Sequence, residues 1–181
     1  MIKLVNNTIS DSEIDSLCDW LKTRPKLTKG ELTETYEKLW SEKIGCKYSV
    51  FVNSGSSALL IAVYSLIAKG LLKKGDPVIV PALSWATDLS PVIQLGLKPL
   101  LCDCNLDDLS LDIEHLERLV KLYPKKPKAL ILVSVLGLVP EMDKITNFCE
   151  QNDIILIEDA CESLGSRYKG RMLGNFGLLS C

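Results

Sequence analysis

Short apolar segments alternate with segments of helical spacing through most of the chain, and this alternation constrains the fold most strongly. The apolar segments cover about residues 48–52, 77–80, 98–103, 128–135 and 154–157. Helical patterns follow at about residues 55–69, 86–95 and 113–122, and another starts at Pro140. Continuously apolar strands between helices are typical of a parallel sheet that is covered on both faces. The sequence therefore predicts an α/β fold with a mostly parallel sheet.

The chain is expected to divide into an N-terminal helical segment over residues 1–46 and an α/β domain over residues 47–181. Ser10 and Glu13 form a capping-box pattern, and the helix that follows is expected to stop before Pro25. A second helix should end at Gly45. Residues 176–181 resemble the start of a further strand. We therefore expect the chain to be a fragment that lacks part of its domain.

A glycine–serine turn joins the first predicted strand to the first helix of the α/β domain. Its residues are Ser54, Gly55, Ser56 and Ser57, directly after the apolar segment 50–52. Such a turn at a helix N-terminus offers free backbone N–H groups and the positive end of the helix dipole, which together suit a phosphate. The alternative is that these serines only cap the helix.

Two other predicted strand ends carry side chains of functional interest, and parallel sheets bind ligands at that edge. Trp85 follows the second strand, and Asp159 ends the fifth. An anion site, a flat aromatic ring and a carboxylate together suit a planar, phosphorylated, cationic heterocycle such as pyridoxal 5′-phosphate (PLP). The GxGxxG pattern of dinucleotide-binding domains does not follow the first strand.

Charge and composition argue against several other classes of function. The formal net charge is −2, which gives no electrostatic basis for binding nucleic acid or an anionic membrane. The seven cysteines form no CxxC pair, and reduced thiols in the cytoplasm are the favoured interpretation. No metal site is expected. The single histidine makes a Ser-His-Asp hydrolase improbable.

Four motifs in this order resemble the DegT/DnrJ/EryC1/StrS family of PLP-dependent sugar aminotransferases. They are SGSSAL at 54–59, GDPVIVPA at 75–82, GLVPEMD at 137–143 and IEDACESLGS at 157–166. The resemblance runs from residue 27 to the last residue. It implies the N-terminal part of the large domain of a fold-type I PLP-dependent transferase, without the rest of that domain and without the small domain.

The resemblance also assigns roles to residues near the cofactor. Ser56 and Ser57 would bind its phosphate, chiefly through backbone amides. Trp85 would stack on the pyridine ring, and Asp159 would pair with the protonated ring nitrogen. Packing of Trp85 against the sheet end, and a capping or turn role for Asp159, are the alternatives.

Three further residues receive less specific roles from the resemblance. Glu162 occupies the position of a polar residue close to the ring substituents of the cofactor, and the alternative is a solvated side chain. Thr28 and Lys29 lie in a segment that approaches the substrate near the dimer interface in this family. A homodimer is therefore expected for the full-length protein.

The chain departs from the family pattern at two points. Ser134 stands where many relatives carry His or Asn. No residue matches the lysine that forms the Schiff base with the cofactor, and Lys169 comes too early to be that residue. The Schiff-base residue is therefore expected beyond Cys181, and no catalytic residue is assigned within the chain.

Three functions follow from the resemblance. The favoured one is transamination of a nucleotide-linked keto-sugar by an amino-acid donor, in amino- or deoxy-sugar biosynthesis in the cytoplasm. One branch of the family replaces the lysine with histidine and removes the 3-hydroxyl of a 4-keto-6-deoxy sugar, and this 3-dehydration is the first alternative. The second alternative is a truncated, non-catalytic remnant. An unrelated phosphate-binding domain of the same fold class also remains open.

Overall fold

The computed structural model describes residues 8–181, and its first two helices lie in the expected N-terminal segment. Helix α1 spans Asp11–Lys22, and the predicted capping box is present because Ser10 and Glu13 exchange hydrogen bonds. Helix α2 spans Glu31–Ile44 and ends at Gly45, whose φ of 86° favours glycine. Residues 1–7 of the expected 1–46 segment lie outside the described residues.

The rest of the chain forms a parallel sheet with connecting helices, which confirms the predicted α/β class. The sheet strands are β1 Pro77–Pro81, β2 Lys98–Cys102, β3 Ala129–Val133, β4 Ile155–Asp159 and β7 Leu179–Ser180, in the order β2-β1-β3-β4-β7. The helices are α3 Gly55–Ala68, α4 Ala86–Gln94, α5 Ile113–Leu122 and α6 Met142–Gln151. A short 3₁₀ helix spans Val135–Gly137, and β5 Arg167–Tyr168 pairs with β6 Arg171–Met172 in a hairpin. Every pairing within the five-stranded sheet is parallel.

The strands bury alternate side chains in two separate apolar cores, one on each face of the sheet. On one face Val80, Ile131 and Ile157 pack with residues of α3 and α4. On the other face Leu130 and Leu156 pack with residues of α5 and α6. Because successive strand residues point to opposite faces, both cores come from the same continuously apolar strands.

The predicted first strand at 48–52 is wrong. No strand is assigned to this segment, and Tyr48 and Phe51 are 77% and 59% exposed. Instead it runs along α2, where the Phe51 N–H donates to Glu37 and the Phe51 ring meets the edge of Tyr36 at a centroid distance of 5.4 Å. The β-forming residues gave the prediction, but β-propensity alone does not provide a neighbouring strand for hydrogen bonding.

Candidate cofactor site

The N-terminus of α3 lies next to the loop that follows β4. Ser54 is the N-cap, and its Oγ accepts the Ser57 N–H at 3.1 Å. The geometry of a helix leaves the N–H groups of Gly55 and Ser56 without intrahelical acceptors. Ser56 is exposed and Ser57 is half-buried, so this first turn is accessible. Ser54 therefore caps the helix, while the N–H groups of Gly55 and Ser56 stay free to bind an anion.

Gly55 permits a close approach between α3 and the loop after β4. A Cβ atom at this position would lie 2.9 Å from the Cys161 Sγ, closer than real Cβ contacts. The Cys161 N–H in turn donates to Asp159 Oδ1 at 2.9 Å. Gly55, Cys161 and Asp159 therefore form a continuous set of contacts from the helix N-terminus to the end of β4.

Trp85 is the N-cap residue of α4, and its side chain is 72% exposed. Its backbone N–H donates to Asp88 Oδ2 at 3.0 Å, which fixes the first turn of the helix. A large aromatic ring with this exposure contributes little to the core of the described chain. The ring is therefore a flat surface open to a ligand at the same sheet edge as Asp159.

Asp159 and Asp88 form a buried carboxyl pair that joins β4 to α4. Asp159 is 8% exposed and Asp88 is fully buried. Burial, together with the Asp159 carboxylate beside it, raises the pKa of Asp88 to about 7. The Asp159 backbone oxygen also accepts the Ser134 N–H at 3.1 Å, which ties the ends of β3 and β4 together.

Asp88 did not emerge from the sequence interpretation, although a signal for it exists. Asp88, Val92 and Leu95 follow the i, i+4, i+7 spacing of one helix face, and Val92 and Leu95 belong to the core. An aspartate on the apolar stripe of a helix is costly unless it has a partner. That pattern singles out Asp88 as a residue with a specific role.

The structure places Glu162 beside the 3₁₀ segment and leaves Thr28 and Lys29 with α2. Glu162 Oε2 accepts the Leu136 N–H at 2.7 Å, at the same edge of the sheet as Asp159. Lys29 pairs with Glu37 at 2.9 Å, and Thr28 is exposed. Among residues 8–181, contacts at Gly55, Cys161 and Asp88 bring the α3 N-terminus, Trp85 and Asp159 into one neighbourhood, whereas Lys29 pairs with Glu37 of α2.

Glu158, next to Asp159 in sequence, has a structural function. Its carboxylate accepts N–H groups from Gly174 at 2.8 Å, Phe176 at 2.6 Å and Gly177 at 2.5 Å. These bonds hold the segment that leads into β7. Glu158 is therefore committed to the fold, and Asp159 is the carboxylate directed toward α3 and α4.

These groups match the chemistry of PLP. The first turn of α3 offers N–H donors for a phosphate, the Trp85 ring offers a stacking surface, and the Asp159 carboxylate offers an acceptor for a protonated ring nitrogen.

Comparison with known proteins agrees with the family motifs. GDP-4-keto-6-deoxy-D-mannose 3-dehydratase from Yersinia pseudotuberculosis is 37% identical over 178 residues, which are 97% of this chain and 44% of that protein. A mutant GDP-4-keto-6-deoxymannose-3-dehydratase crystallised with bound GDP-perosamine superposes with a TM-score of 0.91 at 36% identity, over 99% of this chain and 46% of the other. The chain therefore spans less than half the length of these relatives.

A further structural neighbour bears directly on the predicted cofactor. GDP-4-keto-6-deoxymannose-3-dehydratase with a trapped PLP-glutamate geminal diamine has a TM-score of 0.88 at 36% identity, over 98% of this chain and 46% of the other. The prediction of PLP as the cofactor is confirmed. The model of the DegT/DnrJ/EryC1/StrS aminotransferase family matches residues 8–181, so the chain belongs to this family.

Proposed function

We propose that the protein carrying this chain is a PLP-dependent enzyme that acts on a nucleotide-linked keto-sugar, and that it removes the 3-hydroxyl of a GDP-linked 4-keto-6-deoxy sugar. The observation that carries the proposal is the meeting of the α3 N-terminus, Trp85 and Asp159 at one sheet edge. The 37% identity to a 3-dehydratase supports this choice of reaction. This choice differs from the expectation from the motifs alone, which favoured transamination over 3-dehydration.

Transamination of the same class of substrate is the second candidate. The family model that matches the chain is that of an aminotransferase family, and this match favours it. Both reactions use the same cofactor and the same class of nucleotide sugar. They differ in whether the product loses a hydroxyl or gains an amine.

Each residue of the site has a defined task in this proposal. Bound PLP supplies an electron sink for carbanion chemistry. Ser56 holds its phosphate through its free backbone N–H, and Ser57 does so through its hydroxyl, because the Ser57 N–H is donated to Ser54. Trp85 covers one face of the ring, and the Asp159 carboxylate accepts the N–H of the protonated ring nitrogen. Asp159 thereby keeps the ring nitrogen protonated.

Glu162, Thr28 and Lys29 have more peripheral tasks. Glu162 accepts the Leu136 N–H at the same sheet edge, and its proposed task is to contact the ring substituents of the cofactor. Thr28 and Lys29 approach the nucleotide sugar across a homodimer interface. The exposed apolar side chains of α1 and α2, such as Leu17 and Leu39, supply surface for that contact.

All seven cysteines are free, which supports a reducing cytoplasmic environment.

The test combines cofactor binding with product analysis. Equilibrium dialysis of PLP against wild type and Asp159→Asn comes first. We expect saturable PLP binding in wild type. In Asp159→Asn we expect a changed absorbance spectrum of the bound PLP and impaired turnover of the nucleotide sugar. The protein is then incubated with GDP-4-keto-6-deoxymannose, PLP and glutamate, and the products are analysed by mass spectrometry.

The product separates the candidates. A sugar that lacks the 3-hydroxyl supports 3-dehydration, and an amino sugar supports transamination. PLP binding without any product supports a non-catalytic remnant. A protein that does not bind PLP contradicts the whole proposal and favours an unrelated phosphate-binding function.

No helix among residues 8–181 combines the length and hydropathy needed to cross a bilayer.

A further inference from the structure

Asp88 is a fully buried carboxyl group whose hydrogen bonding is incomplete. Its Oδ2 accepts the Trp85 N–H at 3.0 Å. Its Oδ1 is buried and finds no donor among residues 8–181. A buried carboxylate oxygen without a donor is costly, so the structure must compensate for it in another way.

Within the described residues 8–181, the neighbours of Asp88 bring no positive charge to this carboxyl. Asp159, at the end of β4, lies within hydrogen-bonding reach, and the Cys181 thiol is also close. Helix α3 and strand β1, which pack against α4, contain no lysine, arginine or histidine. Lys98 begins β2 and therefore lies at the opposite edge of the sheet. In the part of the chain that the structure describes, two acidic groups thus face each other without a cation.

A single proton accounts both for the Asp88 Oδ1 atom without a donor and for the close approach of two carboxyl groups. Two adjacent buried carboxylates cannot both keep a full charge, so the pair retains a proton. A proton on Asp88 Oδ1 turns the orphaned acceptor into a donor, and the neighbouring Asp159 carboxylate accepts it. Asp88 is the more deeply buried of the two, so the proton resides on Asp88 and the charge on Asp159.

We propose that Asp88 is a positioning residue whose protonated carboxyl donates to Asp159 and holds the Asp159 carboxylate toward the ring nitrogen of the cofactor. This inference rests on the proposed function for the role of Asp159. The first turn of α4 carries both Trp85 and Asp88, so one short segment orients the stacking ring and the acceptor for the ring nitrogen.

Two variants of Asp88 separate positioning from packing. Asp88→Asn keeps an oxygen for the Trp85 N–H and offers an N–H₂ group to Asp159, so it preserves orientation without a titrating proton. Asp88→Leu keeps the approximate volume but removes both interactions. Circular dichroism and unfolding curves verify that each variant folds.

Two measurements are needed. The first is an NMR titration of the chain without cofactor, with ¹³C-labelled aspartate carboxyl groups. We expect one carboxyl to titrate well above the usual aspartate range in wild type, and this transition to be absent in Asp88→Asn. The second is PLP affinity by equilibrium dialysis. We expect Asp88→Asn to stay within about threefold of wild type and Asp88→Leu to bind about tenfold or more weakly, as for the loss of one charge-assisted hydrogen bond.

The outcomes are distinct for the two proposals. If every aspartate titrates in the usual range in wild type, the shared proton does not exist and the inference is overturned. Equal PLP affinity of Asp88→Leu and wild type also overturns it. If Asp88→Leu fails to fold, the carboxyl titration of wild type compared with that of Asp88→Asn decides instead. Failure of the proposed function has a different signature, because wild type then shows the carboxyl titration but does not bind PLP.

Discussion

Replacement of Glu158 by glutamine should strongly destabilise the fold while it leaves the shape of the side chain unchanged. The Glu158 carboxylate is 2% exposed and accepts three backbone N–H groups from the segment before β7. Glutamine retains one acceptor oxygen, and its N–H₂ group must face at least one of these donors. One hydrogen bond is therefore replaced by a contact between two donors.

The size of the effect follows from the number of bonds and their charge. A hydrogen bond to a charged group contributes about 1.5–3 kcal/mol and a neutral one about 0.5–1.5 kcal/mol. One lost bond and two bonds weakened to the neutral range give a loss of about 4 kcal/mol in the free energy of unfolding. For a chain of this size that corresponds to a fall in Tm of about 10 °C.

Urea and thermal unfolding followed by circular dichroism measure this loss. Glu162→Gln is the matched control, because Glu162 is exposed and, among residues 8–181, accepts a single N–H, that of Leu136. We expect the control to lose less than about 1 kcal/mol. A Glu158→Gln variant within 1 kcal/mol of wild type would refute the argument that these three bonds hold the β7 segment.

Three other predictions concern the cofactor site. Because the pKa of Asp88 is raised, the folded chain holds more protons than the unfolded chain between about pH 4 and pH 7, and this group's contribution to stability falls as pH rises through that window. Unfolding curves measured across this pH range should show the fall in the free energy of unfolding of wild type relative to Asp88→Asn. Parallel pH profiles of the two proteins would contradict the prediction. Gly55→Ala should displace Cys161 and weaken PLP binding in dialysis, and adding Cys161→Ala should restore it; no recovery would place the fault elsewhere. Trp85→Ala should weaken PLP binding with little change in Tm, since its ring is 72% exposed, and an unchanged affinity would leave Trp85 outside the cofactor site.

The elements that the sequence predicted best are those with strong local signals. The Ser10–Glu13 capping box and the helix at 113–122 occur as expected. The segment at 48–52 failed because strand formation depends on a pairing partner, and the β-branched and aromatic residues there pack along α2 instead. Local propensity therefore locates helices with caps more reliably than it locates strands.

For the candidate site, the sequence identified individual residues but not the contacts between them. Asp159 and the serine turn could be found because each lies at a strand end or a helix start. The pairing of Asp88 with Asp159 depends on how α4 lies against the sheet, and no local pattern specifies which strand a helical aspartate will meet. The Gly55–Cys161 approach has the same origin, since about a hundred residues separate the two in sequence.

The period of two along β4 explains why adjacent acids acquire different functions. Leu156 and Glu158 point to the face that packs against α5 and α6, whereas Ile157 and Asp159 point to the face of α3 and α4. Glu158 therefore meets the segment that leads into β7, and Asp159 meets Asp88 and the Cys161 loop. A shift of one residue in the register of β4 would exchange the two carboxylates, so the fixed pairing of Val133 with Asp159 is itself a requirement of the site. The bonds made by Glu158 hold β7 against β4 and oppose such a shift, and in this way a residue that does not contact the site preserves its geometry.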